Sequence, residues 1–507
     1  MNKLQRFLSI LMAAVLLLTC VPALSIAEGE EDAEAQEPEI QVAPEIDLDE
    51  LLVGHPTITK GDFFTEMFGN NTADIDVRAL IHGYNLINWD QNQGTYVFDP
   101  SVVRDVEADV NAEGYKQYTL VLADNLKYSD GTPITAWDYA FSILLMMSPE
   151  IEEIGGKIYR AEHLVDYDKY IAARRKVIAG EELDPNEDLP YLTGVTVLSD
   201  YQIRFWLDPD FLPYFYELGL LMTVPYPIQV IAPGCKVVSG YEDADGPLGI
   251  KIVNEDESIA EPIYTADLLR KTILDPETGY NTFPSVVSGP YVIKSWDGVT
   301  GHFEINPEFK GAWMVNNLPG GALHDAWETA RIRGKIVQDT DEFGNVWTDA
   351  NGNPVELVLP SIEKIAFTVA DNDTMIEQLQ EGELHLVNKV TYNGHTEDGQ
   401  LGTIMKGRQA QAEGIKAQQY PRIGLSFLTF TYDWPTVHEK EVRQAIAWCM
   451  DREDLTQDYC NGFGQVMDGY YGMEQWEYKL VEGRMAFPVN FLETIDALGT
   501  PIEYTDD

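Results

Sequence analysis

Residues 118–142, YTLVLADNLKYSDGTPITAWDYAFS, decide the fold class, because they set a strand, a tight turn and a helix start in direct succession. Residues 118–123 alternate in the manner of a half-buried strand. Asp130-Gly131 supplies the turn, and Pro133 fixes the approach to the helix. Thr135 fits an N-cap, with Asp138 three residues on able to reach back in a capping box. The run AWDYAFSILLMM that follows reads as a helix buried along an apolar face. Asp138 has no histidine or second carboxylate near it in sequence, so it is a corner residue and not a general acid.

Working outward, the same alternation of strands and helices continues. YQIRFWL (201–207) alternates like a strand, and TMIEQLQEG (374–382) reads as a helix ending at Gly382. EKEVRQAIAWCMDREDL (439–455) reads as one helix with Val442, Ala445, Ile446 and Cys449 on one side. DTDEFGNVWTDANGNPVEL (339–357) suggests a hairpin turned by Gly and Asn. Its Asp spacing resembles a calcium loop only superficially: Phe343 sits where a ligand should be, and no closing Glu follows. No internal repeat is apparent. The chain is α/β throughout.

The composition narrows the function. The 507 residues are 45% hydrophobic, enough for more than one compact unit. There are 34 basic and 84 acidic side chains, a net charge of −50, which repels phosphate backbones and anionic lipid. No nucleic acid is expected as a partner. Eight histidines include no HExxH and no close pair, so neither a metal nor a cofactor is expected. There is no GxSxG elbow and no Walker loop, and NGFGQVM (461–467) breaks the GxGxxG pattern at Met467. No catalytic residue stands out, and the chain reads as a non-enzyme.

The N-terminus carries an export address. Lys3 and Arg6 precede an uncharged stretch from Phe7 to Ala27, and acid follows. Ser25 and Ala27 suit cleavage after Ala27, making 1–27 a signal peptide; LLTC offers Cys20 as the alternative, a lipid attachment site, with Thr19 where a small residue is usual. Residues 28–54 read as an acidic tether, since 28–50 contain no Lys or Arg. Cys235, Cys449 and Cys460 remain after cleavage; a Cys449–Cys460 bridge and buried free thiols both fit the spacing.

The segment 118–142 resembles the best-known stretch of the peptide and nickel class of extracellular solute-binding proteins, family 5, the receptors of ABC importers. Further stretches resemble that family in order: VRALIHGYNLINWD (77–90), GVTVLSDYQIRFWL (194–207), SGPYVIKSWDGVTGHFEINPEF (288–309), IEKIAFTVADNDTMIEQLQEGELHLV (362–387) and EVRQAIAWCMDREDL (441–455). The resemblance implies a two-lobed periplasmic-binding-protein-like fold of class II, with an extra subdomain in lobe I. It divides the chain into a first segment of lobe I at 55–96, the extra subdomain at 97–190, lobe I continued over 191–361 with the hairpin inserted near 339–357, and the beginning of lobe II at 362–507. Relatives carry a long further segment with an Asp that pairs with a peptide's α-amino group; this sequence stops at Asp507, so lobe II reads as incomplete. An Asn frequent before the Val-Arg-Gln-Ala helix is also replaced, by Thr429 and Thr431.

The same resemblance implies a monomer outside the cytoplasmic membrane that passes oligopeptides to permease subunits. Oligosaccharide binding and peptide sensing without transport are the alternatives, and nickel chelates come last because the histidines are scattered. By resemblance, His82, Gly83, Tyr84 and Asn85 occupy a cleft strand to which an extended peptide pairs. Ser426 and Phe427 lie on the strand approaching the hinge, and Trp434 and Trp476 are candidates for stacking on a ligand.

Overall fold

In the computed structural model of the chain, the corner at residues 118–142 forms as the sequence predicts. The structure describes residues 50–90, 94–184, 187–243, 246–314, 324–341, 343–349, 352–371, 373–389, 425–460, 464–472 and 475–481, with scattered positions up to 497. The expected signal peptide, Cys20 and most of the expected tether lie outside the described residues.

Strand β1 (Leu51–His55) is followed by helix α1 (Thr72–Ile81) and a hairpin of β2 (Ile87–Asp90) and β3 (Thr95–Phe98). Then β4 (Val103–Val110) and β5 (Lys116–Leu122) lead to α2 (Ala136–Met146). The Asp138 carboxylate accepts from the Thr135 backbone N–H at 2.8 Å and from its hydroxyl at 2.9 Å, which fixes the helix start. Strands β6 (Val195–Ser199) and β7 (Gln202–Leu207) complete an antiparallel sheet ordered β4-β5-β7-β6. Tyr118 faces Phe205 and Leu120 faces Ile203, so the apolar alternation of both strands lands on one buried face. Residues 195–207 thus pair into the same sheet as β4 and β5.

A two-stranded ribbon of β8 (Cys235–Asp243) and β9 (Gly246–Asn254) follows. Next come β10 (Tyr291–Trp296), β11 (Gly301–Ile305), β12 (Ala312–Trp313), β13 (Ile336–Gln338), β14 (Glu356–Val358) and β15 (Lys364–Val369), then α3 (Met375–Glu381) and β16 (Leu386–Val387). A second sheet has the order β10-β11-β15-β1-β16, with β1 parallel to both β15 and β16. Helix α3 is the crossover between two parallel strands that flank β1, and Gly382 closes it in the left-handed conformation. Val53, Val77, Ile81, Phe303 and Phe367 form the core beneath this sheet.

The pairing of this sheet reaches across two of the expected boundaries. Residues 51–54 belong to a central strand and not to the tether, because their apolar side chains complete the parallel pairing. Residues 362–387, expected to open lobe II, contain β15 and β16, which pair with β1 in this same sheet. The predicted helix over 439–455 is two: α4 (Lys440–Trp448) and α5 (Arg452–Cys460). Asp451 is the reason, since its carboxylate accepts from the N–H groups of Glu453 and Asp454 and starts a new helix. A short helix α6 spans Trp476–Val481.

The 339–357 insertion contains an internal repeat that composition hid. Asp341 accepts from the N–H of Asn345 at 2.8 Å and Asp349 from that of Asn353 at 2.8 Å, two copies of Asp-x-x-Gly-Asn eight residues apart. Gly344 and Gly352 supply the positive φ each turn needs. Residues 339, 347 and 355 then stack as three rungs through Trp347 N–H to Asp339 O, Val355 N–H to Trp347 O and Asp339 N–H to Val355 O. The three described cysteines are free: Cys235 is buried, whereas Cys460 is half-buried and Cys449 exposed, against the expectation of buried thiols.

Candidate functional site

Helix α1 delivers the four first-lobe candidates. Asn71 caps it by accepting from the Ala73 N–H at 2.8 Å, and the His82 N–H closes it on Arg78 O at 2.9 Å. Residues 82–85 then form an irregular loop, and strand β2 begins only at Ile87, so the expected cleft strand starts later than the resemblance implies. The reason is local: the SGPY segment clamps the loop. Ser288 Oγ donates to Gly83 O and accepts from the Gly83 N–H, both at 3.1 Å. The Gly289 N–H donates to Ile81 O at 2.8 Å, and Asn306 holds Gly289 O at 2.8 Å. A Cβ on Gly289 would sit 2.4 Å from the Ile81 carbonyl carbon. Gly289→Ala is accordingly expected to lower stability by about 3 kcal/mol or more, because the new methyl would meet the Ile81–His82 peptide, which is backbone and cannot swing aside. Chemical denaturation of the purified variant checks this; a loss below about 1 kcal/mol would show that the clamp yields.

His82 is buried, its Nε2 lies 3.0 Å from Phe63 O, and its ring packs against Phe64, Tyr226 and Tyr280. Burial holds its pKa down to about 4, so the ring is neutral. Tyr84 has a φ of +57°, uncommon for an aromatic residue, and three contacts hold it there. Its ring stacks on Phe309, its carbonyl accepts from the Tyr139 hydroxyl at 2.8 Å, and its own hydroxyl accepts from the Lys310 N–H at 3.0 Å. Burial raises the Tyr84 pKa far above the usual tyrosine value. The Gly83 N–H and carbonyl and the Tyr84 carbonyl are thus engaged within the fold. Asn85 is half-buried and continues toward β2.

Below this loop lies a buried charge cluster that sequence reading missed. Asp339 accepts from Arg104 Nη1 at 2.8 Å and from Lys310 Nζ at 3.1 Å, and Lys310 Nζ also reaches Ser101 O and the Asn125 side chain. Burial, aided by the Arg104 charge, brings the Lys310 pKa down to about 8. The Arg104 guanidinium lies 4.5 Å from the Trp347 ring, so the cluster ties the inserted repeat to β4. The pieces are 235 residues apart in sequence, and no spacing rule joins them.

The remaining candidates sit elsewhere. Ser426 and Phe427 are exposed on an extended segment outside any strand, and Phe427 meets the edge of Tyr470 at 5.1 Å. Trp434 is exposed at the start of a helical turn, Pro435–His438, and Thr429 and Thr431 are also exposed. Trp476 behaves differently: it lies flat against Phe215, centroids 3.8 Å apart. Among the described residues no His, Cys, Asp and Glu cluster could hold a metal ion. Nor is any described helix long and apolar enough to cross a membrane.

With this geometry in place, comparison with known proteins identifies the class. The chain belongs to the bacterial extracellular solute-binding proteins, family 5, whose model (its middle part) matches residues 106–485. It is similar to the periplasmic oligopeptide-binding protein of Salmonella typhimurium, 27% identical over 137 residues that cover 25% of this chain and 23% of that protein. It is also similar to the probable D,D-dipeptide-binding periplasmic protein of Escherichia coli, 18% identical over 380 residues, 74% of this chain and 49% of that one. A solved periplasmic oligopeptide-binding protein of Borrelia burgdorferi superposes with a TM-score of 0.45 at 19% identity, covering 81% of this chain and 59% of its own. The matches thus span less than half of either curated relative. Family 5 consists of substrate-binding proteins, which are not enzymes, so the expected fold family and the non-enzyme class agree with this membership.

Proposed function

We propose that the chain is the capture component of an ABC importer, working outside the cytoplasmic membrane as a monomer and holding oligopeptides between two lobes for delivery to a permease. The observation that carries this reading is the family match over residues 106–485. The topology supports it: β1 pairs in parallel with both β15 and β16, so one sheet is assembled from distant parts of the chain. We assign the first lobe's contact to Asn85, the member of its quartet whose side chain is half-buried and whose backbone is not clamped by Ser288, and the second lobe's share to Ser426, Phe427 and Trp434, whose exposed side chains are open to a ligand. Extended peptides pair through their backbones and tolerate many side chains, and a receptor of that kind needs no metal or cofactor.

The test is thermal unfolding of the mature chain with a random tri- to pentapeptide pool, a malto-oligosaccharide or nickel–histidine. A ligand at a hundredfold its Kd stabilises by about 2.7 kcal/mol, so the peptide pool is expected to raise Tm by several degrees. A shift with the saccharide or the nickel chelate and none with peptides would overturn the assignment.

A further inference from the structure

Strand β1 ends at His55, whose side chain is only 1% exposed. The Thr57 N–H donates to Nδ1 at 2.9 Å, so the neutral ring carries its proton on Nε2. That Nε2 has no hydrogen-bond partner among the described residues, and the carboxylate facing it, Asp76 of α1, stands 3.6 Å away at Oδ2. An orphaned donor this deeply buried is uncommon, and this one faces a carboxylate already engaged elsewhere.

Asp76 holds the residues that follow β16. Its Oδ2 accepts from Asn388 Nδ2 at 2.8 Å and its Oδ1 from Lys389 Nζ at 2.5 Å. The Asn388 N–H in turn donates to Gly54 O at 2.9 Å, beside His55. Lys389 stands at φ +56°, a left-handed conformation that a lysine keeps only where its surroundings hold it. Asp76 supplies that hold while His55 is neutral. A protonated His55 would compete for it, and both of its ring nitrogens have acceptors waiting. Nε2–H faces Asp76, and the Thr57 carbonyl lies 3.1 Å from Nδ1. Burial holds the His55 pKa below the ordinary histidine value; Asp76 and Thr57 oppose that shift, and the Lys389 charge adds to it. No other charged group acts on the ring among the described residues, and β15 contributes only the Phe367 ring, 5.8 Å away.

We propose that Asp76 is a proton-operated latch on the end of β16: protonation of His55 draws the carboxylate from Lys389 to the imidazole and loosens residues 388–389. The proton enters at Nδ1, the Thr57 carbonyl replaces the Thr57 N–H as its partner, and Nε2–H closes on Asp76. Lys389, without its counter-charge, then leaves the left-handed conformation. The sign follows the ring. It is neutral in the closed latch, so closure is complete above about pH 6.5 and is lost as the pH falls through the lowered pKa of His55. The inference goes beyond the receptor reading and does not depend on it, because no ligand enters the test.

Amide hydrogen exchange of the full mature chain reads the latch at the Asn388 N–H. After division by the intrinsic exchange rate at each pH, opening there is expected to rise about threefold or more from about pH 7.5 to about pH 5. His55→Gln, whose side-chain oxygen can still accept the Thr57 N–H, should open equally at both pH values. Asp76→Asn should already be about threefold more open than the wild type at about pH 7.5. No rise in the wild type, an equal rise in His55→Gln, or an Asp76→Asn chain as closed as the wild type overturns the proposal. Should His55→Gln fail to fold, exchange at the ring C2–H titrates His55 itself in two other variants. Lys389→Met removes the competing cation and is expected to raise the His55 midpoint by about half a pH unit, and Asp76→Asn to lower it by about as much. A midpoint that neither substitution moves overturns the proposal equally, since ordinary packing of the ring would leave it in place.

Discussion

Replacing His82 and His163 by glutamine is expected to spare the fold about 4 kcal/mol of acid destabilisation between about pH 7.5 and about pH 5. Both imidazoles are buried, and each Nε2 faces a carbonyl at 3.0 Å, Phe63 O for His82 and Leu220 O for His163. Burial holds both pKa values down to about 4, from an ordinary value of 6.5. The sign follows directly. Each ring is neutral in the fold but takes a proton readily once unfolded, so its contribution is intact above about pH 6.5 and drains away as the pH falls toward 4. Near pH 5 the loss is about 2 kcal/mol for each histidine.

Asp138 works in the opposite direction. Burial pushes its carboxyl up to about 6, so acid relieves it and returns about 1.5 kcal/mol over the same range. Urea midpoints at the two pH values separate these effects. The double glutamine variant should hold or gain stability on acidification, while Asp138→Asn should lose more than the wild type does. Parallel losses in the wild type and the double glutamine variant would show that neither histidine is buried neutral.

The Asp138 corner was legible because its logic is local. Strand alternation, an Asp-Gly turn and a capping box all fall within 25 consecutive residues, and each is a short-range rule. The helix ending at Gly382 was legible for the same reason. The β1–β15–β16 pairing was not, because LLVGH borders a charged tail and nothing in its own sequence names partners more than 300 residues away. Composition therefore assigned it to the tether. The first-lobe loop shows the limit at the site itself. Sequence supplied His82 and Tyr84 as candidates, but Ser288, Tyr139 and Phe309 decide what those residues can offer, and all three arrive through tertiary packing. Trp476 stood out as an aromatic to stack on a ligand, and in the fold its ring lies against Phe215. Its partner Phe215 sits in an aromatic loop that no motif marked.

The charge cluster at Asp339 carries the other large effect. Removing this carboxylate as Asp339→Asn leaves Arg104 and Lys310 buried side by side without their shared anion. Breaking a buried pair by deleting one partner typically costs about 3–5 kcal/mol, and the upper part of that range is expected here because two cations lose one counter-charge. The substitution also loosens the inserted repeat, since the Asp339 carboxylate anchors the Arg104 guanidinium that packs on Trp347. Lys310 can escape by losing its proton, as its pKa of about 8 already lies below the ordinary lysine value. The penalty should therefore shrink as the pH rises from about 7 to about 9, whereas a simple lost hydrogen bond would cost the same at both pH values. Lys310→Met placed on Asp339→Asn should recover about 1–3 kcal/mol by removing the second cation, so the two substitutions will be markedly non-additive. Denaturant midpoints of the two single variants and the double variant at both pH values give the cycle. A loss under about 1 kcal/mol for Asp339→Asn, or additive losses in the double variant, would mean that solvent reaches the cluster and that the repeat is held by its backbone rungs alone.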